Sequence, residues 1–269
     1  MNDIPLGRPT DYPDRFDPGL LAPMERAHAR AMTAGTALPF SGQDVWNAYE
    51  FSWLNGNGLP QVAMLQIRVD AASPRMIESK SMKLYLNGFA QTPFESAAAA
   101  AARAEADLSE ACGAPVRVDL RPLTEMEAPL NALPGESLDH LDVIVDRYEP
   151  APDLLRSAAD ADPVEETLHT DLFRSLCPVT AQPDWASVLI RYAGPPIDRA
   201  GLLRYLVSYR RHQAFHEATV EQIFLDLKAR CDCRRLMVGG WFLRRGGIDI
   251  NPFRADPGEV WPVLRLIRQ

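Results

Sequence analysis

The chain has 269 residues, of which 46% are hydrophobic and 24% charged, and its formal net charge at pH 7 is −8. This composition is that of a globular protein with one large or two smaller domains, and the negative charge argues against nucleic-acid binding as the main activity. No apolar run is long enough to span a membrane and residues 1–5 show no secretory signal, so we expect a cytoplasmic protein without membrane contact.

The first elements are an arm, a turn and a strand. Residues 1–42 carry several prolines and acids, and we expect them to form an arm that packs over a domain, with a short helix around residues 24–34. The two Asn-Gly pairs at residues 55–58 are a turn signal. Residues 61–69 follow with the uneven alternation of apolar and polar side chains that indicates a strand.

A helix is predicted next, because Thr92 and Glu95 have the spacing of a capping box and Pro93 stands at the first helical position. The alanine-rich run that follows is a strong helix former up to about Cys112. Alternating apolar residues then predict two strands, at residues 115–120 and 141–146.

The second half repeats this order of elements. Residues 149–166 are rich in Pro, Ala and Asp and form the best linker candidate. The pattern beyond them predicts a strand at 186–192, helices at 198–209 and 214–230, and strands at 235–243 and 248–250. The similar order of elements in the two halves indicates a weak two-fold repeat. We therefore divide the chain into an arm (1–42), a first unit (43–148), a linker (149–166) and a second unit (167–269).

Cys177 and Asp184 are the pair on which a catalytic function depends most. A cysteine attacks an electrophilic carbon as its thiolate, and the product needs a proton from a nearby acid. We therefore interpret Cys177 as a nucleophile and Asp184 as its acid, with a turn at Pro183 folding the chain back so that the two face each other. The alternative is an inert core cysteine, which is the commoner role of a lone cysteine among apolar neighbours.

Three further stretches carry groups suited to binding. Residues 78–85 (ESKSMKLY) place a carboxylate, two hydroxyls and two amines between apolar residues, although residue types alone favour a solvated edge strand. His216 and Glu217 stand near a helix start, where one of them can face a pocket or Glu217 can simply complement the helix dipole. The Arg-Arg-Gly-Gly run at 244–247 suits a phosphate, or else is a charged hairpin tip.

No motif indicates a metal ion or a Rossmann site. The sequence contains no G-x-G-x-x-G fingerprint. Cys231 and Cys233 are separated by one residue, whereas structural zinc sites commonly have two to four, and no histidine pair lies at ligand spacing near them. Four cysteines in a chain of this length also do not form a disulfide framework, so reduced thiols are expected.

Together these stretches resemble the NADPH-dependent nitrile reductases that convert 7-cyano-7-deazaguanine into 7-aminomethyl-7-deazaguanine for queuosine in tRNA. The motifs keep the family's order, and they are residues 78–85, 177–185, 215–217, 244–247 and 249–252. The resemblance covers most of the chain from about Trp46 onward and matches the long form of the family. It implies an α+β fold of two tandem tunnelling-fold (T-fold) units, each an antiparallel sheet with a helix pair on one face, and a homodimer.

The resemblance also implies a role for each matched residue. The thiolate of Cys177 adds to the nitrile carbon to form a covalent thioimide while Asp184 gives a proton to the nitrogen. Reduction to the amine takes four electrons, so two NADPH are used per turnover. The implied substrate contacts are Ile77, Glu78, Ser79, His216 and Glu217, with Glu217 as the main anchor. The implied NADPH contacts are Ser79, Lys80, Arg245 and Gly246, and no metal is implied.

Two other functions remain possible interpretations of the same sequence. A zinc-dependent cyclohydrolase of the same fold would need cysteine and histidine ligands, and the spacing does not supply them. A non-catalytic purine-binding or deazapurine-binding T-fold protein would keep Glu217 and lose the chemistry. The presence of both Cys177 and Asp184 speaks against this second alternative.

Overall fold

The computed structural model describes residues 15–30, 38–125, 130–259, 261–262 and 264–269. The described residues fall into two compact units. The first unit comprises those within 1–36, 43–128 and 244–250, and the second those within 37–42, 129–243 and 251–269. Residues 130–148 and most of the last strand therefore group with the second unit.

The first unit has a long antiparallel sheet covered on one face by two helices. Its elements are β1 (Pro23–Glu25), α1 (Arg26–Arg30), β2 (Ser41–Leu54), β3 (Pro60–Asp70), β4 (Arg75–Ile77), α2 (Ser79–Phe89), α3 (Ala97–Cys112) and β5 (Val116–Pro122). Strand β3 pairs antiparallel with β2 on one side and with β5 on the other. Apolar side chains of β2 and β3, such as Trp46 and Ile67, form one core with Met82 of α2 and Leu108 of α3.

Residues 78–85 form the start of helix α2, so the solvated edge strand favoured by their composition is wrong. Glu78 is the N-cap residue of this helix, and its carboxylate accepts hydrogen bonds from the backbone N–H groups of Lys80 and Ser81. Met82, Tyr85 and Phe89 recur at helical spacing and are completely buried. Composition misled because charged and apolar residues alternate locally while the apolar set follows a 3.6-residue period.

The beginning of α3 is also different from the prediction, whereas its end at Cys112 is confirmed. The helix begins at Ala97 with Ser96 as its N-cap, whose hydroxyl accepts a hydrogen bond from a backbone N–H of the first turn. Thr92 does not cap it, because its hydroxyl donates to Gly88 and accepts from the backbone N–H of Phe16. The helix ends at Gly113, whose φ of 69° is left-handed.

Within the first unit, the arm packs on helix α2 through Phe16. The ring of Phe16 lies 4.7 Å from that of Phe89 and 5.7 Å from that of Tyr85, both on α2. The helix expected around residues 24–34 is present over Arg26–Arg30, and residues 31–34 lie outside the described residues. The predicted strand at 61–69 and turn at 55–58 are confirmed.

The second unit repeats the arrangement of strands around a helix pair. Its elements are β6 (Glu136–Ser137), β7 (Val164–Leu176), β8 (Pro183–Gly194), α4 (Arg199–Ser208), α5 (His216–Arg230), β9 (Arg235–Phe242) and β10 (Ile248–Ala255). Strands β7, β8, β9 and β10 are neighbours in that order and antiparallel, with β6 beside β7. Helix α5 packs on the sheet where Val220 lies over Gly240, at which a Cβ would come within 3.1 Å of it.

The predicted fold class, α+β with antiparallel sheets and helix pairs, is confirmed, and so are the elements predicted between residues 186 and 250. The strand predicted at 141–146 is wrong, because these residues have no regular secondary structure. Their apolar and acidic residues alternate, but a strand needs a neighbour to complete its hydrogen bonds.

Candidate active site

Cys177 lies at the mouth of the hairpin that joins β7 to β8. Its backbone N–H donates to the carbonyl of Gln182 (2.9 Å), and its carbonyl accepts from the N–H of Ala181 (3.0 Å). Ala181 closes this turn with a φ of 56°, a left-handed conformation that is unusual for alanine. The turn therefore ends before Pro183, which is the first residue of β8 rather than the bend itself.

The hairpin register predicts that Cys177, directly after β7, and Asp184 lie on the same face of the sheet. Asp184 of β8 is directly opposite Ser175 of β7, and Cys177 is two residues beyond Ser175 along the same strand direction. Residues two apart on a strand share a face, and the bond from the Cys177 N–H to Gln182 continues the pairing by one residue, so we expect Cys177 and Asp184 to face the same side. Both are buried, with 6% of Cys177 and 1% of Asp184 exposed.

His216 lies beside the Asp184 carboxylate. The imidazole Nε2 lies 3.2 Å from Oδ2 of Asp184, within hydrogen-bonding distance. The imidazole is stacked on the ring of Phe242 of β9, with centroids 3.8 Å apart and an interplanar angle of 6°. Its other nitrogen, Nδ1, is buried and has no hydrogen-bond partner in the described part of the chain. Stacking therefore sets the orientation of the imidazole that contacts Asp184.

Glu217 follows His216 in the first turn of α5. Its side chain is buried, with 4% exposed. A carboxylate in the first turn of a helix is stabilised by the backbone N–H groups and the helix dipole. The roles predicted for His216 and Glu217 in substrate binding stay predictions, and the structure adds the contact between His216 and Asp184, which the sequence did not indicate.

Ile77, Glu78 and Ser79 form a strand-to-helix junction in the first unit. Oε1 of Glu78 accepts from the N–H of Lys80 (2.7 Å) and Oε2 accepts from the N–H of Ser81 (2.9 Å), and 1% of Glu78 is exposed. A carboxylate has about four lone-pair positions, so capping leaves capacity for another donor. The predicted substrate contact of Glu78 would therefore come in addition to a structural role in the same carboxylate.

The turn between β9 and β10 has the features of an anion site. Arg245 and Ile248 exchange backbone hydrogen bonds across it, and Gly246 and Gly247 have φ values of 60° and 78°. A Cβ at Gly246 would come within 3.2 Å of the Lys83 side chain. Backbone N–H groups at such glycines, beside arginine and lysine, suit phosphate oxygens.

Two residues that sequence reasoning missed support this turn. Tyr49 of β2 lies under the guanidinium of Arg244, 4.5 Å from ring centroid to carbon, and its hydroxyl donates to the buried carboxylate of Asp249 (2.6 Å). Asn47 donates to the same carboxylate. No sequence signal pointed to Tyr49, because β2 itself was not predicted.

Burial of the other three cysteines predicts the outcome of a labelling experiment. Burial raises the pKa of Cys112 to about 11, of Cys231 to about 12 and of Cys233 to about 11. Only a thiolate reacts with iodoacetamide, and at pH 8 about one in a thousand thiols with a pKa of 11 is ionised. These three thiols should label slowly between pH 7 and pH 9. If Cys177 is the nucleophile, it is expected to be alkylated before them, as measured by peptide mass spectrometry.

Protein unfolded in urea is the control for this experiment, because all four cysteines are then accessible and label at similar rates. Equal labelling of all four in the folded protein would contradict the interpretation of Cys177 as a nucleophile.

The described part of the chain offers no group of three His, Cys, Asp or Glu side chains that could hold a metal ion. Within that same part, the helices are too short or too polar to cross a membrane.

Comparison with known proteins gives matches over both units. Residues 12–120 match the family model described as nitrile reductase, 7-cyano-7-deazaguanine-reductase N-term, and residues 183–259 match the one described as QueF-like protein. The NADPH-dependent 7-cyano-7-deazaguanine reductase of Burkholderia lata is 52% identical over 96% of this chain and 95% of its own length. Its counterpart from Chromohalobacter salexigens is 51% identical over 100% of this chain and 98% of its own.

A solved structure, the archaeosine synthase QueF-Like in the apo form, is a weaker match. It is 17% identical, has a TM-score of 0.32, and covers 38% of this chain and 99% of its own.

Proposed function

This chain belongs to the family of NADPH-dependent 7-cyano-7-deazaguanine reductases, and we propose that it reduces the nitrile of 7-cyano-7-deazaguanine to the primary amine. The product is the 7-aminomethyl-7-deazaguanine of queuosine biosynthesis. The observation that supports this function best is the contact of His216 with the buried carboxylate of Asp184, on the hairpin that also carries Cys177. We assign Cys177 as the nucleophile, Asp184 as the acid and His216 as the group that returns a proton to the acid.

The first chemical step uses Cys177 and Asp184. A nitrile carbon is electrophilic but accepts hydride poorly. Addition of the Cys177 thiolate breaks one carbon–nitrogen π bond, forms a carbon–sulfur bond and leaves the electron pair on nitrogen, which takes a proton from Asp184. The product is a thioimide, a better hydride acceptor, and His216 at 3.2 Å is placed to return a proton to Asp184.

The overall reaction converts one nitrile, two NADPH and two protons into one amine and two NADP⁺. When bound, NADPH supplies the hydride that each of the two reductions requires. Cys177 leaves as thiolate after the first reduction and thereby releases an imine. Burial of Asp184 and of Cys177 keeps the site away from water, which would otherwise hydrolyse that imine.

Substrate recognition depends on buried carboxylates. The edge of a deazaguanine offers an exocyclic amine and a ring N–H, and one carboxylate can accept both hydrogen bonds at once. Glu217, buried at the start of α5, suits this role, and Glu78 suits a second acceptor beside Ile77 and Ser79. The resemblance of the 78–85 and 215–217 segments to the family motifs supports the assignment.

The residues that would hold NADPH are cationic side chains and the glycine turn at Gly246. Gly246 has a left-handed φ and lies beside the stem of Lys83, while Lys80 is one helical turn before Lys83 on α2. Arg245 and Ser79 complete the proposed set. Lysine, arginine and backbone N–H groups fit the phosphates of NADPH, including the additional phosphate that distinguishes it from NADH.

Assembly and location are proposals of the same kind. The four cysteines are buried and unbridged, as expected for the reducing environment of the cytoplasm, where we place the protein. The homodimer implied by the resemblance stays a prediction.

The test of this function is the ratio of NADPH oxidised to nitrile consumed. We expect two NADPH per 7-cyano-7-deazaguanine and one amine formed, measured by NADPH absorbance and by mass spectrometry of the product. The matched control is 7-deazaguanine, which lacks the nitrile and leaves NADPH unchanged. A protein that binds the nitrile but leaves NADPH unoxidised would be the non-catalytic deazapurine-binding protein instead, and one that does neither would show that the proposal is wrong.

A further inference from the structure

The N-terminal arm is hydrogen-bonded to the segment that carries Ile77 and Glu78. Strand β1 of the arm pairs antiparallel with β4, with Pro23 opposite Ile77. The pairing continues past the strand, because the carbonyl of Ala22 accepts from the N–H of Glu78 (3.0 Å). The N–H of Ala22 in turn donates to Oγ of Ser81 (3.0 Å). Ala22 therefore binds both the N-cap residue of α2 and its first turn.

Strand β4 has its backbone pairing with the arm. Strands β1 and β4 form a two-stranded sheet of their own. No other strand of the described residues pairs with β4, which is only three residues long. A short strand without a partner leaves its backbone groups to water and does not hold one conformation. The position of Ile77 and Glu78 is consequently set by the arm as well as by α2.

Arg26 fastens the arm directly after β1. Its guanidinium binds the carboxylate of Asp44 on β2 (2.5 Å), and its Nε donates to Oγ of Ser73 (3.2 Å). Its backbone N–H donates to the carbonyl of Pro74, next to β4 (3.0 Å). Both members of the ion pair are buried, with 3% of Arg26 and 1% of Asp44 exposed. Breaking a buried ion pair by removal of one partner is destabilising, so the pair helps to hold β1 in one place.

We infer that residues 22–26 are a positioning element of the substrate site, in which Arg26 holds β1 so that β1 orders Ile77, Glu78 and Ser79 for binding the heterocycle. This inference rests on the proposed function, which assigns those three residues to the substrate. Arg26 is a positioning residue and not a catalytic one, because it acts through β1 and β4. The chemistry assigned to Cys177 and Asp184 does not involve the arm.

A split between KM and kcat tests the inference. We expect Arg26→Gln to raise the KM for 7-cyano-7-deazaguanine about tenfold while kcat changes by less than about threefold, since a binding contact is loosened and the chemical step is not. The double variant Arg26→Gln/Asp44→Asn replaces the ion pair by two neutral amides and is expected to recover most of the KM. The rate of hydrogen exchange at the Glu78 amide is expected to increase in the single variant. In the double variant it is expected to fall back to the rate of the unchanged protein.

Leu108→Ala is the matched control, because it removes a completely buried side chain of the same unit that lies on α3. It lowers the thermal stability of the unit but is expected to leave the KM for the nitrile unchanged. If Arg26→Gln does not fold, Arg26→Lys takes its place, since it keeps the charge and loses the bond from Nε to Ser73.

Each outcome decides a different statement. An active variant at Arg26 with unchanged KM and unchanged exchange at Glu78 would overturn the inference and leave the proposed function intact. An equal rise of KM in Leu108→Ala would also overturn it, because the effect would then be general destabilisation. Absence of turnover in the intact protein would overturn the proposed function, and the inference with it.

Discussion

Replacement of Cys177 by alanine is expected to lower turnover by on the order of 10⁴-fold or more, while binding of 7-cyano-7-deazaguanine is retained. The thioimide cannot form without the sulfur, and direct hydride transfer to a nitrile is slow. The hairpin is held by backbone hydrogen bonds of Cys177 to Gln182 and Ala181, which alanine preserves. NADPH oxidation measures turnover, and isothermal titration calorimetry measures binding.

Cys233→Ala is the control for this variant. Cys233 is also buried and unbridged, and it lies in the α5–β9 connection, outside the proposed site. It is expected to retain turnover within about twofold, as is usual for a substitution outside the chemistry. Turnover that persists in Cys177→Ala, or that is lost equally in Cys233→Ala, would contradict the assignment of the nucleophile.

Replacement of Asp184 by asparagine is expected to lower kcat by about 10²–10⁴-fold, the range that general acid catalysis contributes. An asparagine amide has the size of the carboxylate and can still contact His216, but it cannot give a proton to the nitrile nitrogen. Substrate affinity is expected to stay within about threefold, because the proposed anchor is Glu217. Steady-state kinetics and calorimetry together separate the two effects.

The matched control for this variant is Asp171→Asn on the same hairpin. Asp171 lies on β7 with 54% of its side chain exposed, and it accepts a hydrogen bond from Ser187. The same chemical change there is expected to leave kcat within about twofold. If Asp184→Asn kept its full kcat, the proton would have to come from another group, and His216 would be the first alternative to examine.

The sequence predicted those elements whose local pattern agrees with their place in the fold. Strand β3 alternates, the helix ending at Arg230 has an apolar face, and the glycine turn before β10 is a hairpin signal. The sequence failed for β2 and β7, which were not predicted. Strand β7 carries acidic residues, Glu165 and Glu166 among them, and its pattern becomes regular only when its pairing with β8 is known. Such strands are defined by their neighbours rather than by their own residues.

The candidate site shows the same division. The motifs indicated Cys177, Asp184 and the adjacent pair His216 and Glu217, because the side chain of each can act as a nucleophile, an acid or a substrate contact. The contact of His216 with Asp184 and its stacking on Phe242 join α5, β8 and β9, which are distant along the chain. No pattern within one segment contains that information. For the same reason the second role of a carboxylate, such as the capping by Glu78, was not foreseen.

The most direct measurement is the intact mass of the protein after incubation with 7-cyano-7-deazaguanine in the absence of NADPH. Addition of a thiol to a nitrile loses no atoms, so we predict a mass increase of one whole substrate molecule per chain, located at Cys177 by peptide mapping and absent from Cys177→Ala. Later addition of NADPH is predicted to remove the adduct and release the amine. An enzyme that turns over without any adduct, or that carries the adduct on another residue, would contradict covalent catalysis by Cys177.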